Sequence, residues 1–143
     1  QDGQPDTGVE YIGRFLDRIR HIARKGDSLA MAWIKNIEHE KCLAVTDEVS
    51  YQPGQIVSKT LAQTRHHSLT LFAFDQGEAI STHESGGDAM VLGLDGQGVI
   101  TIDGREHLVH AGEAIVMPAK KPHAVLATEP FKMLLIVLFP EEV

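Results

Sequence analysis

Beyond residue 40 the apolar residues recur in short runs with a period close to two, as in half-buried β-strands. In residues 68–75, for example, Leu69, Leu71 and Ala73 fall at every second position. Comparable runs lie at residues 41–45, 55–62, 79–85, 90–94, 99–102, 106–109, 114–118, 124–127 and 132–139. Short strands at this spacing, separated by turn residues, predict an all-β sandwich or barrel that begins near residue 40.

Turn-forming residues mark the ends of several of these runs. Asp103-Gly104 separates two strand-like runs by two residues, which is the strongest short hairpin signal in the chain. Gly96 follows Asp95 in a second turn, where the backbone calls for a residue that accepts a positive φ. We therefore expect a hairpin at Asp103-Gly104 and a tight turn at Gly96.

The N-terminal segment has a helical period instead. Its apolar side chains fall on one stripe, formed by Tyr11, Ile12, Phe15, Leu16, Ile19, Ile22 and Ala23. We predict an amphipathic helix near residues 11–25 that packs on the barrel or on a partner chain. Two other interpretations stay open: a membrane-surface helix, or a segment foreign to the native protein, because Met31 begins a sequence that resembles a natural start. Residues 1–30 are thus expected to be an extension and residues 31–143 the barrel.

Size and charge narrow the class of protein. With 143 residues, 43% hydrophobic and 23% charged, the chain has the size and composition of one globular domain. It has no run of 18 apolar residues, so we expect no membrane span. The formal net charge of -7, without a basic stripe in the barrel, argues against nucleic acid as a partner. Cys42 is the only cysteine and no signal peptide is visible, so we expect a cytoplasmic protein.

Two histidines at regular distances from glycine and proline carry the candidate chemistry. Five residues separate Gly77 from His83, and the second block reads Gly112, five residues, Pro118, four residues, His123. This arrangement resembles the two motifs of the cupin family. The first family motif reads G-x5-H-x-H-x3-4-E-x6-G, and the second reads G-x5-P-x-G-x2-H-x3-N.

The chain departs from both motifs at positions that matter for metal binding. Ser85 stands where the first motif has its second His, and Ala89 where it has Glu. Lys120 replaces the glycine of the second motif, and Ala127 replaces its Asn. The resemblance covers about residues 55–140 and implies a double-stranded β-helix, the jelly-roll barrel of the family. It also implies a homodimer, as is usual among small cupins.

The resemblance places the candidate site inside the barrel. Residues two apart in a strand share a face, so His83 and Ser85 point the same way, and His123 would lie beside them. Two neutral imidazoles suit one divalent ion of Zn, Fe, Ni, Cu or Mn, although a protein site normally supplies three or more ligands. The same alternation points Glu84 to the opposite face. Asp88 is expected to bond backbone N–H groups of its own loop.

Ser85, Met90 and Met117 are expected to line the pocket and to contact a bound ligand, because methionine adapts to irregular apolar shapes. Two functions are compatible with this site. The favoured one is a protein that binds a small molecule around His83, Ser85 and His123. The alternative is a metal-dependent enzyme, dioxygenase- or isomerase-like, with a two-histidine site. The missing metal ligands favour the first, and no catalytic residue is assigned.

Overall fold

The computed structural model describes residues 9–11 and 32–140. Within them the chain forms ten β-strands and one 3₁₀ turn, Val45–Glu48. The strands are β1 (Val9–Tyr11), β2 (Ile56–Gln63), β3 (His67–Phe74), β4 (Ala79–His83), β5 (Asp88–Asp95), β6 (Gln97–Ile102), β7 (Arg105–His110), β8 (Ala114–Met117), β9 (His123–Leu126) and β10 (Phe131–Leu138). No helix in this part of the chain is long and apolar enough to cross a membrane.

The strands form two antiparallel sheets, so the predicted all-β fold is confirmed. A six-stranded sheet has the order β1-β2-β3-β10-β5-β8, and a four-stranded sheet has the order β4-β9-β6-β7. Some neighbours, such as β3 and β10, lie far apart in the sequence. Long-range pairing of this kind builds a two-sheet barrel rather than a series of local hairpins.

The two sheets enclose an apolar core. Phe72, Phe74 and Phe131 are almost completely buried, and their rings form tilted pairs with centroids 5.8 and 6.0 Å apart. Ile100 and Val125 of the four-stranded sheet belong to the same cluster. Burial of each such side chain stabilises the fold by about 1.5–3 kcal/mol, so this core holds the two sheets together.

A second apolar cluster lies on the outer face of the six-stranded sheet. Leu71, Ala73 and Val57 are buried there together with Val49, which comes from the segment before β2. Backbone contacts fasten this segment, since the Lys35 amide donates to the Leu61 carbonyl at 2.6 Å. Residues 32–55 therefore cover part of a sheet face that would otherwise expose apolar side chains to water.

Side-chain contacts around Tyr51 reinforce this cover. The Tyr51 hydroxyl donates to Asp95 Oδ2 at 2.5 Å, and Lys132 Nζ lies 4.9 Å from the centre of the Tyr51 ring. The same ammonium group donates to the Thr46 carbonyl at 2.5 Å. Because Lys132 and Asp95 are cross-strand partners on β10 and β5, these contacts tie the covering segment to the sheet itself.

Both predicted turns are present. Asp103 and Gly104 have φ values of 51° and 81° between β6 and β7, as a two-residue hairpin turn requires. Gly96 has a φ of 69°, and a Cβ at this position would lie 1.8 Å from the Pro130 carbonyl oxygen. Only glycine fits at Gly96, because a side chain would collide with the backbone before β10.

Two expectations for the N-terminal third were not met or lie outside the described residues. The strand predicted at residues 41–45 is wrong. That run is mostly exposed and has no partner strand, and the chain instead enters the 3₁₀ turn. The helix predicted for residues 11–25 lies outside the described residues except for its first position. Tyr11 itself is a strand residue opposite Val57, so β2 is paired with β1 on this side.

Candidate functional site

The candidate site forms where β4 and β9 pair. His83 ends β4, His123 begins β9, and the two residues are cross-strand partners in the register of the four-stranded sheet. A register irregularity between Ile80 and His83 interrupts the regular pairing just before the site. The rings meet edge to face with centroids 4.3 Å apart, and the two Nε2 atoms are separated by 3.1 Å. The two histidines predicted from the sequence are therefore adjacent.

Backbone carbonyls set the orientation and tautomer of both rings. His83 Nδ1 lies 2.9 Å from the Ser81 carbonyl oxygen, and His123 Nδ1 lies 3.1 Å from the Lys121 carbonyl oxygen. A carbonyl oxygen only accepts, so each Nδ1 carries the proton that is donated. In the neutral rings both Nε2 atoms are then left as bare acceptors that face each other.

The histidine pair is consequently one proton short. Its three close contacts are the two Nδ1–carbonyl bonds and the Nε2–Nε2 approach, and each requires a proton or another cationic partner. Two neutral imidazoles supply only two protons. The third contact is favourable only if a cation or a hydrogen-bond donor comes between or beside the two Nε2 atoms.

The two histidines differ in their access to solvent, because His83 is exposed and His123 is buried. His123 is only 3% exposed. Burial, and then the neighbouring His83 ring, lower the pKa of His123 below its ordinary value, although the bond to Lys121 opposes them. At neutral pH the His123 ring is therefore uncharged, and its Nε2 stays available to a ligand as an acceptor.

A cavity of about 300 Å³ opens at the histidine pair. Its wall is mainly apolar, and its polar atoms gather at the end where the two imidazoles, Ser85 and Glu84 lie. The lining residues are Ile80, His83, Glu84, Ser85, Gly86, Ala89, Met117, His123, Val125, Met133, Leu135, Val137 and Phe139. The volume is in the range of pockets that hold small organic molecules.

Ser85 and Met117 lie in the cavity wall, whereas Met90 does not. Met90 is 40% exposed and lies outside the cavity, because its neighbours Ala89 and Val91 are the residues of β5 that face inward. The prediction that Met90 contacts a ligand is therefore corrected. The sequence-based argument against Glu84 also fails, since β4 ends at His83 and the alternation of a strand no longer applies to the next residue.

The loop that carries Ser85 is held in place by backbone contacts. Ser85 Oγ accepts from the Gly87 amide at 3.2 Å, and the Ser85 carbonyl accepts from the Lys120 amide at 2.8 Å. A Cβ on Gly87 would lie 2.4 Å from the Leu138 carbonyl oxygen, so the loop packs directly on β10. The carboxylate of Asp88 accepts from the Ala119 amide at 2.8 Å, in the loop after β8, and not from its own loop as expected.

The departures from the family motifs have distinct structural consequences. Ala89 is 3% exposed and lines the cavity, so its methyl group occupies the wall where a carboxylate would reach the histidines. Ala127 is fully buried in the core. Lys120 has a φ of 64°, the left-handed conformation that the motif glycine adopts without strain. The backbone of the second motif is thus preserved although its side chains have changed.

The two imidazoles fit a divalent ion as half of a coordination shell. Zn–N bonds of 2.0–2.1 Å at a tetrahedral angle place two nitrogens about 3.3 Å apart, close to the 3.1 Å observed. The carbonyl bonds at both Nδ1 atoms are the usual outer contacts of metal-bound histidines. The described residues contain no group of three or more His, Cys, Asp or Glu that could hold a metal ion, so the remaining ligands would come from water or a bound molecule.

Sequence reasoning missed part of the cavity wall. Leu135 and Val137 lie on β10, and Phe139 directly follows it. Their alternate positions were visible in the sequence, but their place beside β4 and β9 depends on how the two sheets face each other. Nothing in the local pattern shows that arrangement.

Comparison with known proteins agrees with the fold and with the two motifs. The family model of the cupin domain matches residues 70–137. Over 72 residues the chain is 32% identical to the dimethylsulfoniopropionate lyase DddW of Ruegeria pomeroyi. That match covers 50% of this chain and 47% of the lyase, so the chain spans about half the length of this relative.

Two solved structures match over nearly their whole length. A conserved protein of unknown function from Streptococcus pyogenes is 48% identical, with a TM-score of 0.77, and the match covers 79% of this chain and 99% of that protein. A cupin superfamily protein from Desulfitobacterium hafniense is 34% identical, with a TM-score of 0.73, and the match covers 76% of this chain and 100% of that protein. Fold, motif spacing and these relatives agree, and the chain belongs to the cupin superfamily.

Proposed function

We propose that this protein binds one small organic molecule in the cavity of its barrel. The observation that carries the proposal is the convergence of the His83 and His123 Nε2 atoms, 3.1 Å apart, on one end of a cavity of about 300 Å³. Ligand sites typically combine an apolar wall with a few converging polar groups, and this cavity has that composition. The apolar part of the ligand lies against Met117, Met133 and Leu135, and its polar group contacts the histidines and Ser85.

A cavity-filling substitution tests this proposal. Pentylamine, pentanol, pentanoate and pentanamide serve as probes, because they share one alkyl chain and differ in the head group. At least one of them is expected to shift the amide resonances of residues 83–89 and 133–139 in the ¹H–¹⁵N spectrum. Ala89→Leu extends a buried side chain into the cavity and should weaken that binding by about tenfold or more.

Met90→Leu is the matched control, since Met90 is the outward-facing neighbour on the same strand and should bind the probe as wild type does. The proposal is contradicted if no probe shifts these resonances, or if Ala89→Leu binds as well as Met90→Leu.

A metal-dependent enzyme, dioxygenase- or isomerase-like, is the second candidate. The carbonyl bonds at both Nδ1 atoms favour it, because they aim two lone pairs at one point. Similarity to a lyase over half of the chain supports an enzyme as well. His83 and His123 would hold the ion, which would supply a Lewis acid at the polar end of the cavity. The protein's own residues would then position the ligand against the apolar wall.

Metal content separates the two candidates. Protein purified without a nickel column is analysed for Zn, Fe, Ni, Cu and Mn, alongside His83→Ala and His123→Ala. About one ion per chain in the wild type and none in either variant would support the metal site, because one imidazole does not retain a divalent ion. Equal and trace metal in all three proteins would remove this candidate and leave the first standing.

We further propose that the protein forms a homodimer in the cytoplasm. Exposed apolar side chains support self-association: Met90 and Val116 are cross-strand partners, 40% and 48% exposed, on the outer face of the six-stranded sheet. Light scattering at micromolar concentration should give twice the mass of one chain. A monomer under these conditions would contradict the dimer.

A further inference from the structure

We propose that the cavity selects a ligand with a small organic cationic head, an alkylammonium or a sulfonium, and that Glu84 is the residue that sets this preference. This inference rests on the proposed binding function and adds the charge of the ligand to it. It follows from which polar atoms face the cavity, which of them have partners, and which kinds of side chain form the wall.

The polar end of the cavity presents acceptors. Both Nδ1 protons are donated to the carbonyls of Ser81 and Lys121, so the imidazoles turn only Nε2 lone pairs toward the ligand. Ser85 Oγ accepts from the Gly87 amide and keeps one O–H proton that it can donate. An anionic head would face two lone pairs and gain no hydrogen bond from either ring, whereas a cationic head is attracted to both.

Glu84 adds a negative charge to this end. Glu84 is exposed and belongs to the cavity lining, and no hydrogen bond or ion pair engages its side chain within the described residues. Neither lysine nor arginine is among the residues that line the cavity. A carboxylate beside an apolar wall, with no cation of the protein to neutralise it, favours a ligand that brings the positive charge.

The side chains of the cavity wall are also compatible with a cationic head group. Phe139 offers an aromatic ring, and Met117 and Met133 offer polarisable thioethers next to the histidine pair. Aromatic rings attract alkylated ammonium groups, and methyl groups on nitrogen or sulfur also gain from contact with apolar surface. The volume of about 300 Å³ holds a head of this size together with a short chain.

Isosteres that differ only in charge test the proposal. Choline and 3,3-dimethylbutan-1-ol have the same shape, but the first is a cation and the second is neutral, and (2-hydroxyethyl)dimethylsulfonium serves as the sulfur cation. Binding to the full-length protein is measured by calorimetry and by ¹H–¹⁵N shifts of residues 83–89. We expect at least one of the two cations to bind about tenfold more tightly than the neutral isostere. The tighter of the two identifies ammonium or sulfonium.

Glu84→Gln is the decisive variant, with Glu106→Gln as the matched control because Glu106 lies exposed on β7, away from the cavity. Glu84→Gln should lose about fivefold in affinity for the cation and stay within about twofold for the neutral isostere, while Glu106→Gln binds both as wild type does. If the neutral isostere binds as tightly as both cations, the inference is overturned and the proposed binding function stands. If neither cation nor the neutral isostere binds, the inference is overturned. The pentyl compounds then test the proposed binding function independently.

Discussion

At the scale of single residues, the substitutions at Ser85 and Ala89 decide what this site can do. Both side chains line the cavity beside His83 and His123, at the positions where related motifs carry metal ligands. A serine hydroxyl is a poor ligand for a divalent ion and an alanine methyl is none. The site therefore retains the two oriented imidazoles of a metal centre. At the two other ligand positions it has side chains that form cavity wall.

Restoring the missing ligands should restore strong metal binding. Ser85→His combined with Ala89→Glu adds an imidazole and a carboxylate to the existing pair, so we expect zinc affinity to rise by about a hundredfold or more. Zinc binding is measured by competition with a chromogenic chelator. Ser85→His with Met90→Glu is the matched control, because Met90 faces outward and its carboxylate cannot reach the pair. Equal zinc affinity in the two double variants would show that residue 89 does not face the histidines.

Strand alternation explains both the successes and the failures of prediction at this scale. The motif spacing correctly brought His123 beside His83, and Ser85 lines the same cavity although it lies beyond the end of β4. Met90 was misplaced because its hydrophobicity was weighed without the phase of β5, in which Ala89 faces inward. Glu84 was dismissed because alternation was extended one residue past the end of β4.

At the scale of elements, the covering segment before β2 depends on a few directional contacts as well as on apolar burial. Tyr51 is the centre of these contacts, with Asp95 at its hydroxyl and Lys132 over its ring. Burial first, and then the hydrogen bond to Asp95, raise the pKa of Tyr51. The phenol therefore stays protonated, and its hydroxyl remains a donor, throughout the neutral and mildly alkaline range.

Removing this hydroxyl should weaken the cover without unfolding the barrel. Tyr51→Phe is expected to lower the free energy of unfolding by about 1 kcal/mol in urea denaturation at pH 7. Because the folded-state pKa is raised, this contribution is complete below the ordinary tyrosine value of about 10 and is lost as the pH rises above it. The difference between wild type and Tyr51→Phe should therefore shrink above pH 10.

Gln97→Ala is the control for this measurement, because it removes only an exposed 3.4 Å bond to Thr128. A loss in Gln97→Ala as large as in Tyr51→Phe, or no loss in Tyr51→Phe, would contradict the role given to Tyr51.

The strands could be predicted wherever the local pattern of apolar residues was sufficient to identify them. Nine of the ten described strands, β2 to β10, coincide with the predicted runs. Residues 41–45 are also rich in apolar side chains, yet they pair with no described strand and remain mostly exposed. The cover formed by residues 32–55 was not foreseen, since its partner surface is created only when β2, β3 and β10 assemble.

At the scale of the whole molecule, both apolar clusters of the described structure lie within residues 37–139. We therefore predict that a chain lacking residues 1–30 still folds. It loses the pairing of β1 with β2 and keeps both clusters. Circular dichroism should retain a strand-dominated spectrum, and thermal unfolding should remain cooperative. An insoluble or molten truncated protein would show that residues 1–30 belong to the domain.

The barrel as a whole orients the imidazoles of His83 and His123 toward one cavity. That orientation depends on the pairing of β4 with β9 and on the carbonyl groups of Ser81 and Lys121, each two residues before its histidine. The proposed function and the preference for a cationic head both follow from the acceptor character that the Nε2 atoms acquire in this way.

The tautomer of the two histidines tests this account most directly. Long-range ¹H–¹⁵N correlation spectra of the metal-free protein, recorded at about pH 8 where free imidazole is neutral, distinguish Nδ1–H from Nε2–H rings. His83→Ala and His123→Ala assign the signals. We predict that both rings carry their proton on Nδ1 and none on Nε2, which is the less common form in water. A proton on Nε2 of either ring would contradict the account, because the cavity would then present a donor where we place a bare acceptor.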